Sequence, residues 1–332
     1  MNKLTRNQEF AYQPIYRKIS GYTTTYNAAS YPFVESIKSM LGFCDEVVVV
    51  DGCSTDGTWE LLQSEAEKDN KIKLFQKEFD WEEPGIDGIQ KGFARALCEN
   101  EFLWQQDCDE VCHERDYEKI KLMVKKFPKQ ADILHLPVIE MWGNGEEVTG
   151  RRHAWKWRLS RNKPEITHGI NNHARVTDEK TGRVYAKKGM SDGCEYVNTM
   201  NNEMLPHVGF YSDQIETARL YVPADYAKII NQLVNHIPSV YHYSWCSIPR
   251  KTEQLKKGGV WDKLWSLLYQ EESQDRFPGF DFEILEEVQK LAQHLYKQGG
   301  EDSDKVKYKF KLDQPGPSIM QEWIESVQTH KE

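Results

Sequence analysis

Long apolar runs are missing from this sequence. No stretch approaches the roughly 20 consecutive apolar residues that a membrane-spanning helix needs. The polar N-terminus, Met1 to Lys18, lacks the apolar core of a secretory signal. Positive charge is also short. A net charge of −9 argues against a nucleic-acid binder, which shows a basic face, and against electrostatic docking on anionic membranes. The seven cysteines, at positions 44, 53, 98, 108, 112, 194 and 246, are odd in number and contain no C-x-x-C pair. Cys108, Cys112 and His113 lie close together, but no distant second pair completes a zinc site. These cysteines read as reduced thiols of a cytoplasmic protein. Repeats and low-complexity linkers are absent too, which leaves 332 residues for one large domain or two ordinary ones.

What is present centres on Asp107-Cys108-Asp109-Glu110, at the end of the apolar run Phe102-Leu103-Trp104. That run has the character of a strand buried on both faces, as in a parallel sheet. On an extended strand Asp107 and Asp109 project to the same side. Two carboxylates so placed can hold a hard divalent cation while leaving positions open for phosphate oxygens. Taken alone, the pair also fits a solvated acidic turn.

The flanking pattern gives it a setting. Ile19 to Thr24 reads as a first strand ending at Thr25-Tyr26-Asn27, and Pro32 to Leu41 as a short amphipathic helix. Glu46 to Asp51, an unbroken valine run ending in an acid, reads as a central strand. Thr55 or Asp56 is placed to cap a helix over Thr58 to Lys68. Strand Ile72–Phe75, helix Ile86–Cys98 and strand Phe102–Gln106 follow. This alternation predicts a doubly wound parallel sheet, with ligands bound outside the carboxyl ends of its strands. Thr25, Asp51 and Asp107 each stand at such an end.

Beyond residue 113 the pattern is looser. Tyr117–Phe127 reads as a helix, Ile133–Ile139 and Trp155–Leu159 as strands, and Trp142–Gly150 as a turn. Residues 162–208 fit loops and hairpins, Gln214–His236 an interrupted helix, and Val240–Trp245 an extended aromatic segment. Lys263–Gln270 and Phe282–Lys297 read as helices, Gly299–Gln314 as a loose charged tail, and Ile319–Val327 as a last helix. The ten tryptophans include clusters at 142–157 and 245–265 that suit sugar-ring faces as well as they suit a core.

Thr24-Thr25-Tyr26-Asn27, Val49-Val50-Asp51-Gly52-Cys53-Ser54-Thr55-Asp56-Gly57-Thr58 and Asp107-Cys108-Asp109-Glu110 together resemble the motifs of family 2 glycosyltransferases. The resemblance covers the first third of the chain closely. It implies the GT-A fold: a Rossmann-like α/β, mostly parallel sheet flanked by helices, with a C-terminal acceptor-side and helical extension. It divides the chain into a nucleotide-sugar-binding half (1–112), an acceptor-side half (113–250) and a helical extension (251–332). It implies a nucleotide-sugar donor (a UDP-sugar, or a GDP-sugar), Mn2+ or Mg2+, and inversion at the anomeric carbon.

By the same resemblance Thr25 and Tyr26 flank the donor base, Asp51 contacts base or ribose, and Arg95 lies near the diphosphate. Asp107 and Asp109 match the metal-binding pair, the second contacting the ion most directly, and His242 matches a late histidine that completes the metal site. Inversion needs a base, and Asp192, with Glu195 beside it, lies at the expected distance past the acidic pair. The sequence departs from its relatives at His173-Ala174, where an acid often follows the histidine. Trp155, Trp157, Arg158, His168 and His173 are candidates to line an acceptor groove for a glycan, a lipid-linked or a protein hydroxyl. Two other readings compete: a sugar-1-phosphate nucleotidylyltransferase, disfavoured by the absence of a glycine- and cation-rich loop after the first strand, and a non-catalytic nucleotide-sugar or glycan-binding module.

Overall fold

The computed structural model describes residues 16–80, 86–127, 132–142, 145, 147–148, 155–164, 166, 168, 175–177, 179–180, 184–186, 207–209, 231, 234–235, 238–246 and 310–329. The first half alternates strictly: β1 (Ile19–Thr25), α1 (Phe33–Leu41), β2 (Glu46–Asp51), α2 (Thr58–Lys68), β3 (Ile72–Gln76), α3 (Ile86–Ala96) and β4 (Phe102–Gln105). After it come β5 (Glu110–Cys112), α4 (Tyr117–Lys125), β6 (Ile133–Trp142), β7 (Glu147–Val148), β8 (Trp155–Arg161), β9 (Arg175–Thr177), β10 (Val184–Ala186), β11 (His207–Gly209), β12 (Val240–Trp245), β13 (Phe310–Lys311) and α5 (Gln321–Thr329).

The sheet runs β3-β2-β1-β4-β8-β6-β7-β13, with β5, β11 and β12 attached off that line. Strands β3, β2, β1 and β4 are mutually parallel. β8 enters antiparallel to both β4 and β6, so β6 again runs with the first four, and β11 and β12 pair parallel to it. The result is a mostly parallel sheet flanked by helices, the GT-A arrangement. Val47 to Val50 are all buried because both faces of β2 are covered. Val47 and Val49 pack with residues of α1, α2 and α4, while Val48 and Val50 join Tyr22, Leu103 and Ala94 of α3. Sheets covered on both faces select such continuous apolar runs.

A second core lies behind β12, where Tyr241 and Tyr243 join Val111, Ile139, Met141, Val148, Met320 and Trp323. It corrects the reading of the tail as loose through residue 314. Phe310 and Lys311 pair antiparallel with Val148 and Glu147, and those two β7 residues fall inside the segment read as a plain turn. Among the described residues no helix is long and apolar enough to cross a membrane. Residues 247–309, which hold the expected helices Lys263–Gln270 and Phe282–Lys297, lie outside the described residues, as does nearly all of Gln214–His236.

Candidate active site

The carboxyl ends of β1, β2 and β4 meet the first turns of α3 at one rim. β1 and β2 are in register there, Thr25 opposite Asp51. Asp51 is fully buried and its carboxylate is turned into the following loop. Oδ1 accepts from Thr25 Oγ1 (2.9 Å) and Ser54 Oγ (2.6 Å), and Oδ2 accepts from the Ser54 amide (2.8 Å). Asn27 (φ 45°) and Cys53 (φ 64°) both take the left-handed conformation, a strain that non-glycine residues keep where the surroundings over-determine it. Here they do: Asn27 Oδ1 accepts from the Thr55 amide at 2.8 Å, and the Asn27 amide donates to Ser54 Oγ at 2.8 Å. Tyr26 stacks on Phe79 with ring centroids 5.2 Å apart. Gly52 lets the chain pass them, since a Cβ there would lie 2.8 Å from the Tyr26 ring and 3.0 Å from Phe79 Cβ.

The two aspartates of the central motif take different partners. β4 ends at Gln105, and residues 107–109 form a turn closed by the Glu110 amide on the Asp107 carbonyl (3.0 Å). The turn is pinned by Gln106, whose Nε2 shares its two N–H groups among Glu110 O (2.8 Å), Ser36 Oγ (2.9 Å) and Ser39 Oγ (3.0 Å). The expectation of an extended pair sharing one side is therefore corrected. A buried glutamine with several acceptors to satisfy favours the turn over a longer strand.

Asp107 sits among cations. Lys91 Nζ lies 2.9 Å from its Oδ1, and Lys156 Nζ and Arg158 Nη2 each lie 3.4 Å from its Oδ2. Burial alone would push the Asp107 carboxyl up, but Lys91, Lys156 and Arg158 together hold it well below the usual carboxylate range. Glu110, fully buried, takes Arg158 Nη2 at 2.6 Å and receives the Asp107 amide at 3.0 Å. Arg158 also donates to Gln105 Oε1, and Lys91 pairs with Asp87 one turn back on α3 at 2.9 Å. Formally, three carboxylates (Asp87, Asp107, Glu110) face three cations.

Asp109 belongs to a second group. Its Oδ2 lies 3.1 Å from His242 Nε2, and His242 Nδ1 lies 2.8 Å from Glu140 Oε2. Sheet register produces this contact: His242 of β12 stands opposite Glu140 of β6 on one side and Glu110 of β5 on the other. The Tyr243 amide donates to the Asp109 carbonyl at 2.9 Å, which ties the turn to β12. Burial opposes a charge on His242, yet Asp109 and Glu140 raise it well above the ordinary imidazole value. Burial likewise raises Glu140, and His242 overrides it to leave the carboxyl below its usual range. Among the described residues no group of three or more His, Cys, Asp or Glu side chains converges as a ready-made metal cage.

Arg95 is not brought to this rim. Its Nε donates to Ile166 O (2.7 Å), Nη1 to Ser160 Oγ (2.8 Å) and Nη2 to Arg161 O (2.7 Å). Ser160 and Arg161 pair with Leu103 and Phe102 at the start of β4, the opposite end from Asp107. In a β-α-β unit the crossover helix begins near the strand ends that bind ligand, so the rim is reached by the first turns of α3 and not by its last. Lys91, one turn earlier, is the α3 cation that reaches the rim, paired with Asp87 and Asp107. Arg95→Met is expected to lower unfolding stability by about 2–4 kcal/mol, because it strips charged hydrogen bonds from a buried strand. The nucleotide affinity of the folded fraction should stay within about twofold of wild type. Urea titration with parallel nucleotide titration checks both.

Lys91, Lys156, Glu110 and Glu140 were not legible as site residues. Lys156 and Arg158 alternate with Trp157 along β8, a cationic face that the sequence shows but does not assign to a partner. Trp157 and His168, candidates for the acceptor groove, are interior: their rings stack at 4.3 Å, and His168 Nε2 lies 2.7 Å from Tyr22 Oη. Asp192, Glu195 and His173 lie outside the described residues.

Residues 22–186 match the sequence model of glycosyl transferase family 2, and this segment is a family 2 glycosyltransferase domain. None of the curated proteins compared with the chain matches it. Similar solved structures include S. aureus TarS 1–349 (15% identity over 85% of this chain and 92% of that one, TM-score 0.37). The same protein in complex with UDP-GlcNAc is similar at 16% identity, over 86% and 82% of the two chains, with a TM-score of 0.38. Mannosyl-3-phosphoglycerate synthase from Rubrobacter xylanophilus is similar at 15% identity over 38% and 41%, with a TM-score of 0.29.

Proposed function

We propose that the protein transfers a sugar from a nucleotide-diphosphate donor, a UDP- or GDP-sugar, to an acceptor hydroxyl with inversion, and that it does so with a bound divalent metal. The observation that carries this reading is the pairing of two groups on one rim: the Asp109–His242–Glu140 chain and the Lys91–Lys156–Arg158 cluster around Asp107.

The residues fit Mn2+ or Mg2+. Asp109 supplies a carboxylate of the kind hard divalent ions take, and His242 Nε2, 3.1 Å from Asp109 Oδ2, would be the second group to hold the ion. Nδ1–H of His242 then donates to Glu140, the outer carboxylate that orients metal-binding histidines. Asp109 and His242 are thus the residues that would hold the ion. Asp107, already paired with three cations, serves as the pivot that gathers them. When bound, such an ion offsets the charge that builds on a departing diphosphate.

The chain's own cations do the same work. Each unit charge pair at about 4 Å is worth about 4 kcal/mol at an effective dielectric of about 20. Arriving phosphate oxygens compete with Asp107 for Lys91, Lys156 and Arg158. Tyr26 lies against the donor base, held by a loop whose shape Thr25, Asp51 and Ser54 fix between them. Asp192 is the proposed base for the acceptor hydroxyl, with Glu195 as the alternative.

Incubation with Mn2+ and separate UDP-, GDP- and dTDP-sugars should release one nucleoside diphosphate slowly, and chelation should stop it. Pyrophosphate released from a nucleoside triphosphate and a sugar 1-phosphate, or binding without turnover, would sink the proposal. Lys156 meets Asp107 at 3.4 Å and Glu110 at 3.5 Å, whereas Lys91 and Arg158 each hold a rim carboxylate at under 3 Å, 2.9 Å to Asp107 and 2.6 Å to Glu110. Lys156→Met is expected to weaken donor binding about tenfold, the worth of one charged hydrogen bond, with little change in melting temperature. Calorimetric titration with the nucleoside diphosphate measures it.

A further inference from the structure

The second core raises the question of what holds β12 against the site. On β12 alternate side chains point to opposite faces, so His242 looks toward Asp109 and Glu140 while Tyr241 and Tyr243 look away. Among the described residues, that far face is packed by Ile139, Met141 and Val111 from the sheet and by Met320 and Trp323 from the C-terminal segment. The Tyr243 and Trp323 rings meet edge to face at 6.3 Å. Gly316 lies close enough that a Cβ there would sit 3.4 Å from the Tyr243 hydroxyl.

Three consecutive residues just after β5 tie these parts together. His113 Nε2 donates to the Pro315 carbonyl at 3.1 Å. Glu114 accepts from Ser318 Oγ (2.9 Å), the Ser318 amide (3.3 Å) and the Ile319 amide (2.8 Å). Arg115 Nη2 donates to the Tyr241 hydroxyl at 2.7 Å. Glu114 thus caps, from some two hundred positions away in sequence, the 3-10 turn Ser318–Met320 that leads into α5. A carboxylate at a helix N-terminus that accepts otherwise orphaned amides is the favourable arrangement. Met320 and Trp323, which enter the core, follow directly.

We infer that the C-terminal segment 310–329 is the back wall of the active site, and that Glu114 is a positioning residue that latches this segment so that β12 presents His242 to Asp109. The inference rests on the reading of Asp109 and His242 as the working pair. Its structural part stands apart from that reading, because the latch acts on β12 whether or not a donor binds.

Backbone hydrogen exchange of the full-length protein without donor tests it. Glu114→Ala should speed exchange about tenfold at the amides of residues 241–245, whose Tyr243 N–H is bonded to the Asp109 carbonyl. Residues 315–323 should speed up with them, while Val47–Val50 of β2 keep their wild-type protection. Glu114→Gln, which retains one acceptor oxygen, should give an intermediate effect. If Glu114→Ala does not fold, Ser318→Ala, on the surface, should raise the same amides by about threefold. Release of residues 315–323 with 241–245 unchanged would overturn the latch, and so would an equal rise in β2, which marks plain loss of global stability. Mn2+ binding, followed by the electron paramagnetic resonance signal of the free ion, should weaken in step with β12 exchange. Faster β12 exchange in a protein whose wild type binds neither Mn2+ nor nucleotide would count against the proposed function and leave the latch in place.

Discussion

Asp109→Ala is expected to lower the proposed metal-dependent release of nucleoside diphosphate about 10²–10³-fold, the scale of losing one fixed electrostatic partner of the leaving group. Asp109 is the carboxylate of the motif best placed for this role, because its side chain meets His242 while Asp107 is committed to Lys91, Lys156 and Arg158. The variant should fold. Its backbone carbonyl, which receives the Tyr243 amide, is untouched, and removing a half-buried acid beside a histidine leaves Glu140 as the partner of His242. Glu140→Gln should produce a milder form of the same defect, with Mn2+ affinity about 10–100-fold weaker, since it blunts the group that orients the imidazole. Donor hydrolysis at saturating nucleotide sugar, with a Mn2+ titration of each variant, decides the matter. More than a tenth of wild-type turnover in Asp109→Ala would mean that the cation cluster around Asp107 carries the leaving diphosphate without it.

Glu110→Ala should be the most destabilising single change at the rim, at about 3–5 kcal/mol, the cost of leaving a buried charge without its partner. Glu110 and Arg158 are both buried and meet at 2.6 Å, and Glu110 also receives the Asp107 amide. Removing the acid strands the guanidinium between Gln105 and Asp107. The paired replacement Glu110→Gln with Arg158→Met should recover much of the loss, since exchanging a whole buried ion pair for neutral groups is often close to neutral. Urea unfolding of Glu110→Gln, Arg158→Met and the double gives the coupling energy. A loss under about 1 kcal/mol in Glu110→Ala would show that Asp107 takes over the guanidinium.

The valines of β2, the motif residues at the strand ends and the helices between them were legible because local pattern decides them: apolar runs make buried strands, and the crossover rule orders them. Thr25, Asp51, Asp107 and Asp109 were singled out on that basis, and the family match over residues 22–186 agrees with the motifs that pointed to the family. The cations were harder. Lys91, Lys156 and Arg158 meet Asp107 through a helix that begins at the rim and a strand inserted antiparallel beside β4, and no local signal announces that insertion. Glu140 and His242 are 102 positions apart, and only the parallel pairing of β12 with β6 brings them together. Glu114 reads as one acid among many until the tail returns to it.

One strand, β6, has more of the chemistry resting on it than any motif implies. On one edge its Leu136 stands opposite Lys156, and a few residues on, along the other edge, its Glu140 stands opposite His242. It is the common ruler against which the cation cluster around Asp107 and the Asp109–His242–Glu140 chain are both measured. Slipping it by a single residue would turn Glu140 to the wrong face and shift Lys156 along the rim in the same movement. Substitutions along its buried length should therefore shift Lys156 and the His242–Glu140 pair together.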